Sequence, residues 1–178
     1  MKTSLKLALS ISVIVLYCST AFADAAKMPP PYTGSKALET VKSLAGTWNG
    51  TVKHIDGKEE KVEVIYKVTS NGSAVIETIF TGTPMEMTSV YFDKDGTLTM
   101  THYCSVANRP ELKLTKEGKK SLSLSYAGGE GLDPKKDMHI HGLDLEIKED
   151  GSIVQNWQGF EGGKQSHTTV LKLNKVKS

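Results

Sequence analysis

Residues 61–69, Lys61-Val62-Glu63-Val64-Ile65-Tyr66-Lys67-Val68-Thr69, are followed at once by Ser70-Asn71-Gly72. Val62, Val64, Tyr66 and Val68 share one face of an extended chain, while Glu63, Lys67 and Thr69 take the other. A period of two with one apolar and one polar face is the signature of a strand half-buried in an antiparallel sheet. The Asn-Gly pair that ends the run supplies the positive backbone angles of a tight hairpin turn. Leu122, Leu124 and Tyr126 repeat the alternation further on.

Working outward, the same logic predicts strands near 47–54, 61–69, 73–80, 87–92, 97–105, 112–115, 121–126, 138–148, 152–160 and 166–174, about ten in all. Asp95-Gly96 and Asp150-Gly151 mark further turns. No helical period intervenes between strands, so the chain reads as an all-β meander. Closing it into an antiparallel up-and-down barrel removes the exposed edges that so many consecutive strands would leave; a two-sheet sandwich is the alternative. Ser35 is placed to cap a short helix in which Leu38, Val41 and Leu44 recur at helical spacing, until Gly46 ends it. The barrel domain is therefore expected over 35–178.

Ahead of it, residues 24–34 contain three consecutive prolines, Pro29 to Pro31, and no periodicity, which predicts an extended, mobile leader. Residues 1–23 read as a signal peptide: Lys2 and Lys6 precede an apolar run, and Ala21-Phe22-Ala23 offers small residues at both recognition positions of a signal peptidase. Tyr17 is too bulky for the residue before a lipidated Cys18. The expectation is an exported protein, periplasmic or secreted, with no membrane span.

Removing 23 residues from 178 leaves 155, enough for one core without staples. The charge balance falls from 22 basic and 20 acidic side chains to 20 of each, because Lys2 and Lys6 leave with the signal peptide. A neutral chain with interspersed signs argues against a nucleic-acid partner, and nothing in it points to a protein partner. Cys104 becomes the sole cysteine, so no internal disulfide is possible.

Leu44-Ala45-Gly46-Thr47-Trp48-Asn49-Gly50, a short helix running into Gly-x-Trp at the first strand, resembles the opening of the lipocalin and calycin barrels. That resemblance implies a calycin-like barrel with Trp48 across its closed end. A second resemblance, to exported bacterial lipocalin-like proteins of no assigned function, is carried by Gly82 to Met87, by Thr101-His102-Tyr103-Cys104 with Asn108-Arg109-Pro110, and by His139-Ile140-His141. It implies fold and compartment and brings no activity.

In a meander, alternate links lie at opposite rims. Those after strands two, four, six and eight are tight, whereas 55–60, 81–86, 106–111, 127–137 and 161–165 are longer. Binding groups favour the looped end of a rigid scaffold. His102 and Cys104 close the fifth strand on the face of Leu98 and Met100, and His139 and His141 open the eighth in phase with Leu143, Leu145 and Ile147, so both pairs are expected to point inward at the looped rim. Trp157, His167 and Glu77 join them, Glu77 if Val75 and Ile79 mark the inner face. His54, among charged neighbours, is expected at the surface.

Three functions follow. A binding protein would hold an apolar or amphipathic small molecule, with Glu77, His102, Cys104, His139, His141, Trp157 and His167 at its polar end. An enzyme would use the same cluster, with His102, His139 and His141 as three nitrogen ligands to a transition metal, or one of them axial to haem, and Cys104 or Glu77 in acid-base roles. Against these stand ordinary readings: a histidine among apolar neighbours is commonly a hydrogen-bonded core residue, and a buried thiol is commonly inert. An interaction module with a filled barrel is the third possibility. No residue is assigned a catalytic role, and the chain carries neither a Gly-x-Ser-x-Gly elbow nor a phosphate-binding glycine loop.

Overall fold

A computed structural model describes residues 29–54 and 57–177. The signal-peptide reading of residues 1–23 lies outside the described residues. The elements run α1 (Lys36–Lys42), β1 (Gly46–Lys53), β2 (Glu59–Thr69), a 3-10 turn (Ser70–Gly72), β3 (Ala74–Ile79), β4 (Met87–Lys94), β5 (Thr97–Tyr103), β6 (Glu111–Glu117), β7 (Ser121–Gly128), β8 (His139–Ile147), β9 (Ile153–Glu161) and β10 (Lys164–Lys175). Every strand pairs antiparallel with its chain neighbours, and β10 returns to pair with β1, so ten strands form a closed up-and-down barrel with no free edge.

The alternation of β2 holds over most of its length, with Val62, Val64 and Tyr66 buried and Lys61 and Lys67 exposed, but Val68, expected on the buried face, is exposed where the strand runs out at its end. Inward residues from all ten strands fill the barrel toward one end, among them Val64, Tyr91, Leu98, Leu112, Leu145, Ile153 and Leu173. Closure demands one close approach. An added Cβ on Gly50 would lie 1.8 Å from the Lys172 carbonyl oxygen across the β1–β10 seam, so only glycine fits there.

The turns after β2, β4, β6 and β8 lie at this end, and α1 covers it; the β9–β10 link, expected among the longer ones, is a two-residue Gly162-Gly163 turn at the opposite rim, where both glycines supply the positive φ it needs. Ala37, Leu38 and Val41 are buried on one helical stripe. Ser35 caps the helix as predicted, its Oγ accepting from the Leu38 amide at 3.2 Å and donating to Asp93 Oδ1 at 2.7 Å. Asp93 belongs to β4, so the cap also fastens the helix to the barrel wall. The buried Trp48 donates its indole N–H to the Leu44 carbonyl at 2.7 Å, joining helix to first strand. Residues 29–34 of the leader have no regular structure, yet they are fastened: the Tyr32 amide donates to the Asn71 carbonyl at 2.8 Å and Lys42 Nζ to the Tyr32 carbonyl at 2.7 Å. No helix among the described residues is long and apolar enough to cross a membrane.

Candidate functional site

At the other end the barrel is hollow. A cavity of about 300 Å³ opens between the longer loops. Its walls are mostly apolar, with Ile79, Phe80, Met87, Met138, Ile140 and Leu171 among the lining residues. His102, Cys104, Trp157 and His167 line it too, so four of the sequence-predicted site residues meet at the looped rim. His54 is at the surface as expected, its Nε2 3.1 Å from Glu60 Oε1, and both residues lie at the mouth of this cavity.

Glu77 lies on the inner face, between Val75 and Ile79, and is fully buried. It anchors a polar network set across the barrel. The hydroxyls of Tyr66 and Tyr91 donate to its Oε1 and Oε2 at 2.6 and 2.7 Å. The Gln155 amide donates to Oε1 as well, and Trp157 Nε1 donates to Gln155 Oε1 at 3.0 Å. Burial pushes the Glu77 carboxyl above its ordinary range, against the opposing pull of the donors. Burial, and then the neighbouring carboxylate, holds both tyrosines well above theirs, so they remain donors. Tyr66, Tyr91 and Gln155 were absent from the sequence-predicted site. The signal for two of them was present, since Tyr66 is in phase with Val62 and Val64, and Gln155 stands alone among apolar inward residues Ile153 and Trp157.

Glu77, Ser89 and His102 are direct cross-strand neighbours on β3, β4 and β5. Ser89 Oγ lies 2.9 Å from His102 Nδ1. The His102 ring is 1% exposed, tilted against the Trp157 indole at 5.1 Å. Its other nitrogen, Nε2, is buried with no hydrogen-bond partner. Burial lowers the His102 pKa to about 4, so the ring is neutral near pH 7.

His139 and His141 are not part of this cavity. A β-bulge interrupts the β8–β9 ladder between Ile140 and Gly142. One extra residue in a strand reverses the face of everything before it. Met138 and Ile140 therefore line the cavity, whereas His139 pairs with Phe160 on the opposite face from the buried Trp157 and Gly159. There the two imidazoles hold each other, with His139 Nε2 2.9 Å from His141 Nδ1, and His141 stacks on Phe160 at 3.9 Å between ring centroids. Burial, then the His139 charge, lowers the His141 pKa.

The three-nitrogen site predicted from His102, His139 and His141 is thus not assembled. Among the described residues no group of three His, Cys, Asp or Glu side chains is arranged to hold a metal ion. His167 reaches the cavity by lying over Gly159, where an added Cβ would come 2.0 Å from the imidazole Cε1. Cys104 carries a free thiol at the mouth.

Neither a protein-family model nor a curated protein matches this chain. Among solved structures, a redesigned β-barrel is similar at 12% identity and a TM-score of 0.37, over 82% of this chain and 100% of that one. Such a likeness carries no argument about function, so the fold rests on the strand pairing and the site on its own geometry.

Proposed function

We propose that this protein is an exported barrel that binds a small, mostly apolar organic molecule in the hollow at its looped end. The observation that carries this reading is the buried, unpartnered Nε2 of His102, a residue that lines a mostly apolar cavity. Leaving such an atom unsatisfied costs about 1–3 kcal/mol, a cost that a ligand's polar group would remove. An apolar cleft with a few convergent polar groups is the ordinary form of a small-molecule site, and about 300 Å³ is at the small end of such sites. Export is supported by the sequence of residues 1–23 alone, where Lys2 and Lys6 precede an apolar run and Ala21-Phe22-Ala23. Kinship with the calycin barrels is supported by the helix-to-Trp48 junction at the closed end.

Thermal melting of the mature chain against increasing hexanol tests the binding reading. A ligand that binds only the folded state adds about 2.7 kcal/mol at a concentration of 100 times Kd. The melting temperature is expected to rise and saturate with hexanol, and the rise is expected to disappear in Cys104→Phe, which fills the mouth without touching the Glu77 network. A flat or falling melting temperature with hexanol and with small phenols alike would refute the proposal.

A further inference from the structure

We infer that the cavity mouth is a site for a soft monovalent metal ion, copper(I), held by the sulfurs of Met87, Cys104 and Met138 and by Nε2 of His102. This goes beyond the organic-ligand reading above, since it concerns a second kind of occupant at the rim of the same hollow, and the two stand or fall separately.

Strand register sets the four donors side by side. Ser89 is paired with His102 across β4 and β5, and Thr88 with Tyr103. One step further the same register puts Met87 opposite Cys104, and both line the cavity. Direct cross-strand neighbours have Cβ atoms about 5 Å apart. His102 stands two residues before Cys104 and therefore on the same inner face. Met138, another lining residue, closes the group from the other flank of Cys104. There the Cys104 amide donates to the Asn108 carbonyl at 3.1 Å, and Asn108 Nδ2 donates to the Met138 carbonyl at 2.6 Å. The thiol thus belongs to a wall with a methionine on either side and an imidazole beneath. Methionine's rotatable bonds let each thioether swing onto an ion.

His102 supplies the independent mark of a ligand. It is 1% exposed, its Nε2 is buried without a partner, and the tilted Trp157 indole at 5.1 Å packs against the ring. Coordination needs the ring proton on Nδ1. Ser89 Oγ, 2.9 Å from Nδ1, has lone pairs to accept that proton whichever of the two donates in the free protein. Such a partner behind a metal-bound imidazole fixes its tautomer and orientation. Thioether and thiolate sulfur, with imidazole, select copper(I) over harder divalent ions, and binding releases the Cys104 proton to solvent. Among the described residues that line the cavity Glu60 is the one carboxylate, and it lies 3.1 Å from His54 Nε2. No three His, Cys, Asp or Glu side chains among the described residues are set around a metal. That tells against zinc and leaves copper(I) untouched, because two of the four donors here are thioethers.

The test supplies copper(I) to the mature chain without oxygen, in competition with the coloured chelator bicinchoninate. One copper(I) per chain is the expected result. Met87→Leu, Met138→Leu and Ser89→Ala are each expected to weaken binding by roughly tenfold, the last by releasing the His102 ring, and Cys104→Ser by more. A readout on the wild type needs no variant to fold. One equivalent of silver(I), a redox-silent ion of like softness, is expected to shift the carbon-13 methyl signals of Met87 and Met138 and to leave Met100 in place. Copper(I) affinity unchanged in both Met87→Leu and Met138→Leu would reduce the site to a lone thiol and overturn the inference. Zinc binding as tight as that of copper(I), silver(I) shifts that miss Met87 and Met138, or no copper(I) binding at all would overturn it too. The hexanol test is independent of all these outcomes, so the organic-ligand reading survives a failure here.

Discussion

His102 shows how a single side chain serves stability and recognition in opposite senses. Its ring is buried and neutral, with a pKa of about 4 against about 6.5 in an unfolded chain. Between those values the unfolded chain binds the proton that the folded chain refuses, so stability falls as pH falls. The contribution is fully present above pH 6.5 and lost as pH drops through about 4. Glu77, whose carboxyl is raised, works the other way: its contribution is present below its unfolded pKa and is lost as pH rises through the folded one. The two must be separated by comparison with a variant. Urea midpoints at pH 7 and pH 4.5 are expected to show the wild type losing roughly 2–3 kcal/mol more than His102→Gln. Equal losses would mean that the folded protein tolerates a charged His102. At this scale the site was partly legible: His102, Glu77 and Trp157 interrupt or punctuate apolar inward phases. Ser89 was not, because a serine between Thr88 and Val90 gives no signal until its strand neighbours are known.

Strand β8 carries the difference between reading a pattern and knowing a register. His139 and His141 stand in strict alternation with Leu143, Leu145 and Ile147, which predicted all five on one face. The bulge between Ile140 and Gly142 shifts the phase by one residue. The sequence carries a trace of it, since Met138 and Ile140 form an apolar phase opposite to Leu143 and Leu145, and Gly142 stands where the two meet. An Asn-Gly turn has specific chemistry and was legible; a bulge within a strand is fixed by its partner's pairing and was not. The double replacement of His139 and His141 by alanine is expected to lower the melting temperature by removing the packing against Phe160, while the hexanol-induced rise stays unchanged. Loss of that rise would place the pair in the ligand site after all.

As a whole, the molecule divides along its axis. The helix-capped half is packed with aliphatic side chains and fixed by Ser35, Asp93 and Trp48. The Glu77 network forms a polar floor above that core, and the cavity lies beyond it, among the longer loops. This polarity was legible from strand direction, since alternate links of a closed meander must share a rim, whereas loop length misled at Gly162-Gly163, a two-residue turn on the looped rim. The volume of the hollow was not legible, since it depends on how far the inward side chains of all ten strands reach toward one another.

The division also gives the most direct test of the central claim, that the looped end is the binding end. Three methionines line the cavity, Met85, Met87 and Met138, while Met100 is buried deeper on β5, two residues below His102. Spectra of the chain with carbon-13 in its methionine methyl groups report each position separately. On titration with cyclohexanol, the Met85, Met87 and Met138 signals are expected to shift together along one saturable curve, with Met100 moving less. Shifts confined to other methionines, or none at saturating cyclohexanol, would contradict a binding site at that end of the barrel.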